Sequence, residues 1–320
     1  MILQILLLLL GLALVVFGAD YLVEGASALA RRFGLSEFVI GLTIVGMGTS
    51  APEMVVSFIG AAEGNADIAL GNVIGSNIWN TLMILGLTAV LLPVPVTSVN
   101  KHRDIPTNIL VTLLLIVLGL SHTLFGWGVS DGLSWWEGLV LLGVFVVYMY
   151  RSFTHPSQEE ETDEPAVKPL KLGYSLLMIA GGLVGLVVGG KLFVNAATSI
   201  AAAVGASDKF IAITILAGGT SMPELATCVA AAVKKKGQLA LGNIIGSNLF
   251  NILLILGGSA LIHPLSFQDI SFIDLGVLLV SALALLTSCF LGKKNRIDRL
   301  DGAAFLCIWV GYMVYLIINL

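Results

Sequence analysis

A chain of 320 residues that is 57% hydrophobic and 11% charged, with a mean hydropathy of +0.99, is excluded from the ordinary soluble domains. Its net charge of −4 is scattered over short apolar-flanked segments, so nothing suggests a nucleic-acid partner, and three cysteines without metal-ligand spacing predict neither disulfides nor a metal cluster. The composition is that of a polytopic, all-α membrane protein.

Runs able to cross roughly 30 Å of hydrocarbon as helices are read at residues 2–28, 38–61, 68–92, 105–121, 135–153, 172–200, 210–233, 239–262, 272–292 and 302–319, ten spans in all. The first reads as a mature span and not as a cleavable signal: it lacks a basic start and continues through Asp20 and Glu24 to Arg31. Trp127, Trp135 and Trp136 fall between spans four and five, where indole rings favour a membrane interface. Cys228, Cys289 and Cys307 lie within spans and are expected to be small buried hydrophobes. The four histidines are scattered over loops and helix ends and carry no evident chemistry.

The polar stretch RSFTHPSQEEETDEPAVKPLK, 151–171, has no apolar periodicity and separates a first five-span unit, 1–154, from a second, 171–320, with 155–170 as linker. Its acids Glu159, Glu160, Glu161, Asp163 and Glu164 could attract a regulatory cation, but a solvated connector is the better reading. On ten spans, 14 of the 16 Lys and Arg residues fall on one side; Lys209 lies opposite and Lys191 within a span. The positive-inside rule therefore predicts a cytoplasmic linker and both termini outside.

The two units are copies. A shift of 171 residues aligns Gly18–Gly86 with Gly189–Gly257 without a gap, matching GTSAPE (48–53) to GTSMPE (219–224) and ALGNVIGSN (69–77) to ALGNIIGSN (240–248). The flanking charge is not copied: Arg31 and Arg32 meet Ala202 and Ala203, while Glu63, Gly64 and Asn65 meet Lys234, Lys235 and Lys236. Positive charge has moved to the other end of the duplicated helix, so the copies are expected to cross the membrane in opposite directions, as in the inverted repeats of secondary transporters. The motif regions are 41–86 and 212–257.

Pro52 and Pro223 have no amide hydrogen, which predicts a broken helix and unpaired carbonyls at Gly48 and Gly219. Such carbonyls must face protein or a polar cavity at membrane depth. Thr49, Ser50, Thr220 and Ser221 add hydroxyls, and Glu53 and Glu224 add charge; these are hard oxygen donors of the kind that calcium prefers. On the next span, Asn72, Ser76 and Asn80 share one helix face, repeated by Asn243, Ser247 and Asn251. The G-x-x-x-G pairs Gly71/Gly75 and Gly242/Gly246 permit close backbone approach, though simple packing would use them too. A structural polar cluster is the plain alternative for the two glutamates. Each acid at bilayer depth costs on the order of 3 kcal/mol, and incurring that twice at equivalent positions favours an ion site.

The paired G-T-S-x-P-E and G-N-x-x-G-S-N motifs resemble the two alpha-repeats of the sodium/calcium exchanger family, within the calcium/cation antiporter superfamily. That resemblance implies an antiporter exchanging calcium for sodium, with spans two, three, seven and eight as a core and spans one and six as long helices that slide to alternate access. It implies ligands at Thr49, Ser50, Glu53, Ser76 and Asn80, and at Thr220, Ser221, Glu224, Ser247 and Asn251, completed by carbonyls near Gly46 and Ala217. Such exchangers commonly carry aspartate at the position of Asn251, and potassium-dependent relatives carry acids at those of both Asn80 and Asn251; amides here argue against potassium co-transport. Calcium/proton relatives usually show G-N-x-x-E where this chain has GTSAPE and GTSMPE, which favours sodium over protons.

A cation channel could use the same ligands, but two half-sites without a pore helix or filter favour alternating access. An intramembrane hydrolase would need a nucleophile and base, or imidazole-held metal, and no histidine is expected near the glutamates. The chain is thus expected to be a non-enzymatic, cofactor-free antiporter, monomeric and multi-pass in the plasma membrane, with calcium, sodium and lipid as its partners.

Overall fold

The computed structural model describes residues 2–127, 130–154, 170–203, 218–267, 270–291 and 295–319. The helices are α1 (Ile2–Phe33), α2 (Glu37–Thr49), α3 (Ala51–Ala62), α4 (Ala66–Leu91), α5 (Asn100–Gly119), α6 (Ser121–Phe125), α7 (Trp135–Thr154), α8 (Leu172–Ala203), α9 (Met222–Val233), α10 (Gly237–Ile262), α11 (Phe272–Leu291) and α12 (Arg299–Asn319). Among the described residues, eight helices are long and apolar enough to cross a membrane, nine when the bent pair α2 and α3 counts as one span. The expected seventh span is represented by the shorter apolar helix α9; residues 210–217 of it, Ala217 included, lie outside the described residues, as do Lys209 before it and most of the acidic linker.

α10 and α4 form the centre. Their most apolar stretches are 94% and 72% buried, against 11% for α12, so the repeated helices that carry the polar stripe are the ones shielded from lipid. α2 packs on α10 through glycine: a Cβ at Gly242 would meet the Phe38 carbonyl oxygen at 2.3 Å, and one at Gly246 the Leu42 carbonyl oxygen at 2.3 Å. Only glycine lets these backbones touch, as the G-x-x-x-G reading expects. For Gly71 and Gly75 no described atom lies within 4 Å.

α1 and α8 cross along a second glycine seam. A Cβ on Gly11 would strike Gly189 O at 2.8 Å, and one on Gly18 would strike Gly182 O at 2.8 Å. The same 171-residue shift carries Gly11 to Gly182 and Gly18 to Gly189, so each glycine packs on the equivalent of the other. This register makes the two equivalent helices antiparallel. Four short strands follow the same logic: β1 (Val94–Pro95) pairs with β4 (Arg296–Ile297), and β2 (Gly132–Leu133) with β3 (Leu265–Ser266), all antiparallel.

Several boundaries differ from the sequence reading. α1 runs on to Phe33, and its acids are answered from the core: Lys234 Nζ lies 2.6 Å from Asp20 and 3.6 Å from Glu24. The fourth span starts at Asn100 and not at 105, because Thr97 and Asn100 cap it reciprocally: Thr97 N–H donates to Asn100 Oδ1 at 2.9 Å, and Asn100 N–H to Thr97 Oγ1 at 3.1 Å. Buried Asp104 then pairs with Arg103 at 2.8 Å, which lets charge enter the helix. Cys307 is exposed on α12, contrary to expectation, whereas Cys228 and Cys289 are buried. Trp127, Trp135 and Trp136 are exposed between α5 and α7.

Candidate functional site

The GTSAPE stretch breaks its helix as expected, but the proline does so from the first turn of a new helix. α2 ends at Thr49, Ser50 adopts φ −81° and ψ 5°, and α3 restarts at Ala51 at an angle of 48°. Pro52 needs no donor there. Ser221 repeats the geometry with φ −87° and ψ 8° before α9. One correction concerns the carbonyls: Gly219 O is not free, since Met222 N–H donates to it at 3.4 Å in a tightened turn. Each glutamate occupies the first turn of its half-helix, where the positive end of the backbone dipole favours an anion.

The break brings the repeats together crosswise. Ser50 Oγ donates to Glu224 Oε1 at 3.1 Å, and Ser221 Oγ donates to Glu53 Oε1 at 3.3 Å. Ser247 Oγ approaches the same Glu224 oxygen at 3.5 Å and Gly46 O at 3.4 Å, while Ser221 Oγ and Ser76 Oγ are 3.5 Å apart. Thr49 Oγ1 donates to Asn243 Oδ1 at 3.1 Å and lies beside the Glu224 carboxylate; Thr220 lies beside that of Glu53. Thr49, Ser50, Glu53, Ser76, Asn80, Ser221, Glu224, Ser247 and Asn251 are all buried, and Thr220 is half-buried. Of the expected set, only Ala217 lies outside the described residues.

Beside the glutamates, four asparagines join α4 to α10. Asn80 Nδ2 donates to Asn248 Oδ1 at 3.3 Å, and Asn251 Nδ2 to Asn77 Oδ1 at 2.9 Å. Asn80 and Asn251 sit in π-helical segments, Trp79–Ile84 and Phe250–Leu256, wider turns that recur at functional positions. Asn72 and Asn243 instead reach the helices that follow the breaks. Asn72 Nδ2 braces Glu53 O at 3.1 Å and Ser57 Oγ at 2.9 Å, and Asn243 Nδ2 makes the equivalent contact with Cys228 Sγ at 3.4 Å. Cys228 is thus the counterpart of Ser57 as well as a small hydrophobe.

Around the two glutamates, four of the buried oxygens that lack a hydrogen-bond partner among the described residues fall in the repeated motifs: Glu53 Oε2, Glu224 Oε2, Asn80 Oδ1 and Asn251 Oδ1. They form two repeat-related pairs. No group of three or more His, Cys, Asp or Glu able to hold a metal occurs among the described residues, so the local donors are two carboxylates with hydroxyls, amides and carbonyls. That chemistry suits a hard cation and offers little to a soft one.

A family model described as sodium/calcium exchanger protein matches residues 3–154 and 174–318. The chain belongs to the sodium/calcium exchanger family. The exchanger is 40% identical over 313 residues to the putative antiporter CaxA of Alkalimonas amylolytica, covering 96% of this chain and 97% of that one. It is 31% identical to the sodium/calcium exchanger MaX1 of Methanosarcina acetivorans, over 97% of each chain. Among solved structures it is similar to the sodium-calcium exchanger NCX_Mj soaked without sodium or calcium, with a TM-score of 0.84 and 34% identity over 98% of this chain and 99% of that one. The exchanger is therefore an all-helical, multi-pass membrane antiporter, a transporter and not an enzyme.

Proposed function

We propose that this exchanger moves calcium against sodium by alternating access, with the ions held between Glu53 and Glu224. The observation that carries this reading is the set of four buried, unpartnered oxygens on Glu53, Glu224, Asn80 and Asn251. An interhelical hydrogen bond in a membrane averages about 0.6 kcal/mol, against on the order of 3 kcal/mol for an acid at bilayer depth. One serine on Glu53 and two on Glu224 do not offset that cost. Each carboxylate therefore needs a cation or a proton.

Two carboxylates balance one calcium ion, and the neutral oxygens of Thr49, Ser50, Ser76, Asn80, Thr220, Ser221, Ser247, Asn251 and Gly46, with Ala217 outside the described residues, are the pool from which the rest of its six to eight contacts would be drawn. Hydroxyls that now donate to the glutamates can rotate and offer lone pairs to an entering ion. Sodium, also hard, can share the same oxygens with one ion per glutamate or more. The name of the relative MaX1 favours sodium as the counter-ion.

Ten spans in two inverted five-helix units, 1–154 and 171–320, are the architecture we assign, supported by the antiparallel packing of the equivalent helices α1 and α8. Their glycine seam holds the two close together as one unit that would slide past the core. Both termini are placed outside, with the linker in the cytoplasm, in a plasma-membrane protein acting as a monomer. The test is calcium-45 uptake into sodium-loaded proteoliposomes. The wild type should accumulate calcium; Glu53→Gln and Glu224→Gln should reconstitute as folded protein and fail to do so. Uptake retained in either folded variant would refute the site.

A further inference from the structure

Asn77 and Asn248 stand outside every ligand position read from the motifs, yet each grips an asparagine that belongs to one. Asn77 Oδ1 accepts from Asn251 Nδ2 at 2.9 Å, and Asn248 Oδ1 accepts from Asn80 Nδ2 at 3.3 Å. The repeat shift converts one contact into the other. An asparagine amide has an oxygen end and a nitrogen end of nearly equal size, so cavity shape alone does not choose which faces an ion. Hydrogen bonds must choose.

Here the choice is imposed from outside the ligand set. Asn77 Nδ2 donates at 3.1 Å to the backbone carbonyl of Asn248, an atom that can only accept. Asn77 must then present Oδ1 to Asn251, which answers with Nδ2 and turns its own Oδ1 away. That oxygen is buried and unpartnered among the described residues. In the other arm Asn248 Nδ2 donates to Thr81 Oγ1 at 2.8 Å, a hydroxyl that can also donate and so holds the amide less firmly than a carbonyl does; Asn248 Oδ1 accepts from Asn80 Nδ2, and Asn80 Oδ1 is unpartnered among the described residues. The arms differ for a simple reason: the counterpart of Thr81 is Ile252, which offers no hydroxyl, so Asn77 uses a backbone oxygen instead.

We propose that Asn77 and Asn248 are positioning residues that fix the amide polarity of Asn251 and Asn80, so that oxygen and not NH₂ faces the cation. Released from its clamp, either amide could reverse and present two N–H dipoles to a positive ion. An aspartate at 251 has two equivalent oxygens and would need no clamp. The inference rests on the reading of Asn80 and Asn251 as ion ligands.

A double-mutant cycle separates this role from packing. Apparent KM is measured in proteoliposomes for calcium and, separately, for sodium, in the wild type, Asn77→Ala, Asn251→Asp and the double variant. Asn77→Ala should raise the calcium KM roughly three- to tenfold, the bias commanded by one net hydrogen bond, with a smaller change in kcat. In the Asn251→Asp background the same change should leave KM unaltered or lower it, because the Asn77 oxygen then faces a carboxylate. Asn77→Ser, whose hydroxyl is too short to reach Asn251, should behave as Asn77→Ala and serves if the alanine variant does not fold. An equal KM rise in both backgrounds, or none in either, overturns the clamp alone. A wild type that responds to neither ion overturns the ion-site reading with it.

Discussion

Ser50, in the first copy of the repeated motif, donates its hydroxyl to Glu224 in the second at 3.1 Å, while Ser221 returns the same bond to Glu53 at 3.3 Å. Neither half-site is complete within one repeat. Because each serine is a prospective ligand whose hydroxyl turns from the opposite carboxylate to the ion, Ser50→Ala should remove one cation oxygen and raise the calcium KM. Combined with Ser247→Ala, whose hydroxyl approaches the same Glu224 oxygen at 3.5 Å, the two losses should be strongly non-additive, since they act on one network. Additive losses measured by calcium-45 uptake would separate Ser50 from Ser247.

Ion binding should stabilise the folded protein. At a calcium concentration of 100 Kd, linkage gives about 2.7 kcal/mol, visible as a higher Tm in detergent. Glu224→Gln should remove the calcium-dependent part of the shift. A full shift in that variant would place calcium elsewhere.

The seam between α1 and α8 admits no side chain at Gly182, where a Cβ would lie 2.7 Å from Gly18 O and from Leu22 N. Backbone atoms cannot swing aside, so Gly182→Val should force the helices apart, costing about 1–3 kcal/mol of stability and slowing transport. Gly181 is the control, since no described atom lies within 4 Å of a Cβ there. Valine at 181 should be tolerated; equal damage at both positions would mean that helix propensity, not the seam, is responsible.

Charge asymmetry predicts that the 151–171 linker faces the cytoplasm. In a variant with Cys228, Cys289 and Cys307 replaced, a single cysteine at Ser157 should resist a membrane-impermeant maleimide applied to intact cells, while one near either terminus reacts. The opposite pattern would invert the topology without disturbing the site.

The internal repeat, the helix break at the first motif and the positions of the two glutamates could be read from residue types, because proline, glycine and an acid inside apolar sequence have few physical explanations. What could not be read was which copy each side chain serves. The Ser50–Glu224 exchange depends on how two half-helices cross, and sequence spacing carries no information about that crossing. Asn77 and Asn248 were visible as paired asparagines in G-S-N, but a four-residue stripe drawn through Asn72, Ser76 and Asn80 passes them by. The π-helical turns that carry Asn80 and Asn251 shift such a stripe partway along the helix, and apolar sequence around them gives no warning. Charged residues misplaced the start of α5, because Lys101 and Arg103 ended an apolar run that the Thr97–Asn100 cap and the Arg103–Asp104 pair allow the helix to continue through.

The coupling ion decides whether the two carboxylates exchange calcium for sodium. If more than two sodium ions move per calcium, one cycle of calcium uptake carries net positive charge out of a sodium-loaded vesicle, and membrane potential acts on it by about 2.3 kcal/mol per elementary charge per 100 mV. The most direct measurement is calcium-45 uptake under an outward sodium gradient, with the interior clamped positive by potassium and valinomycin. Uptake should require internal sodium and accelerate with positive interior potential. Uptake that ignores sodium and follows an imposed pH gradient would contradict the account and make the two glutamates proton carriers.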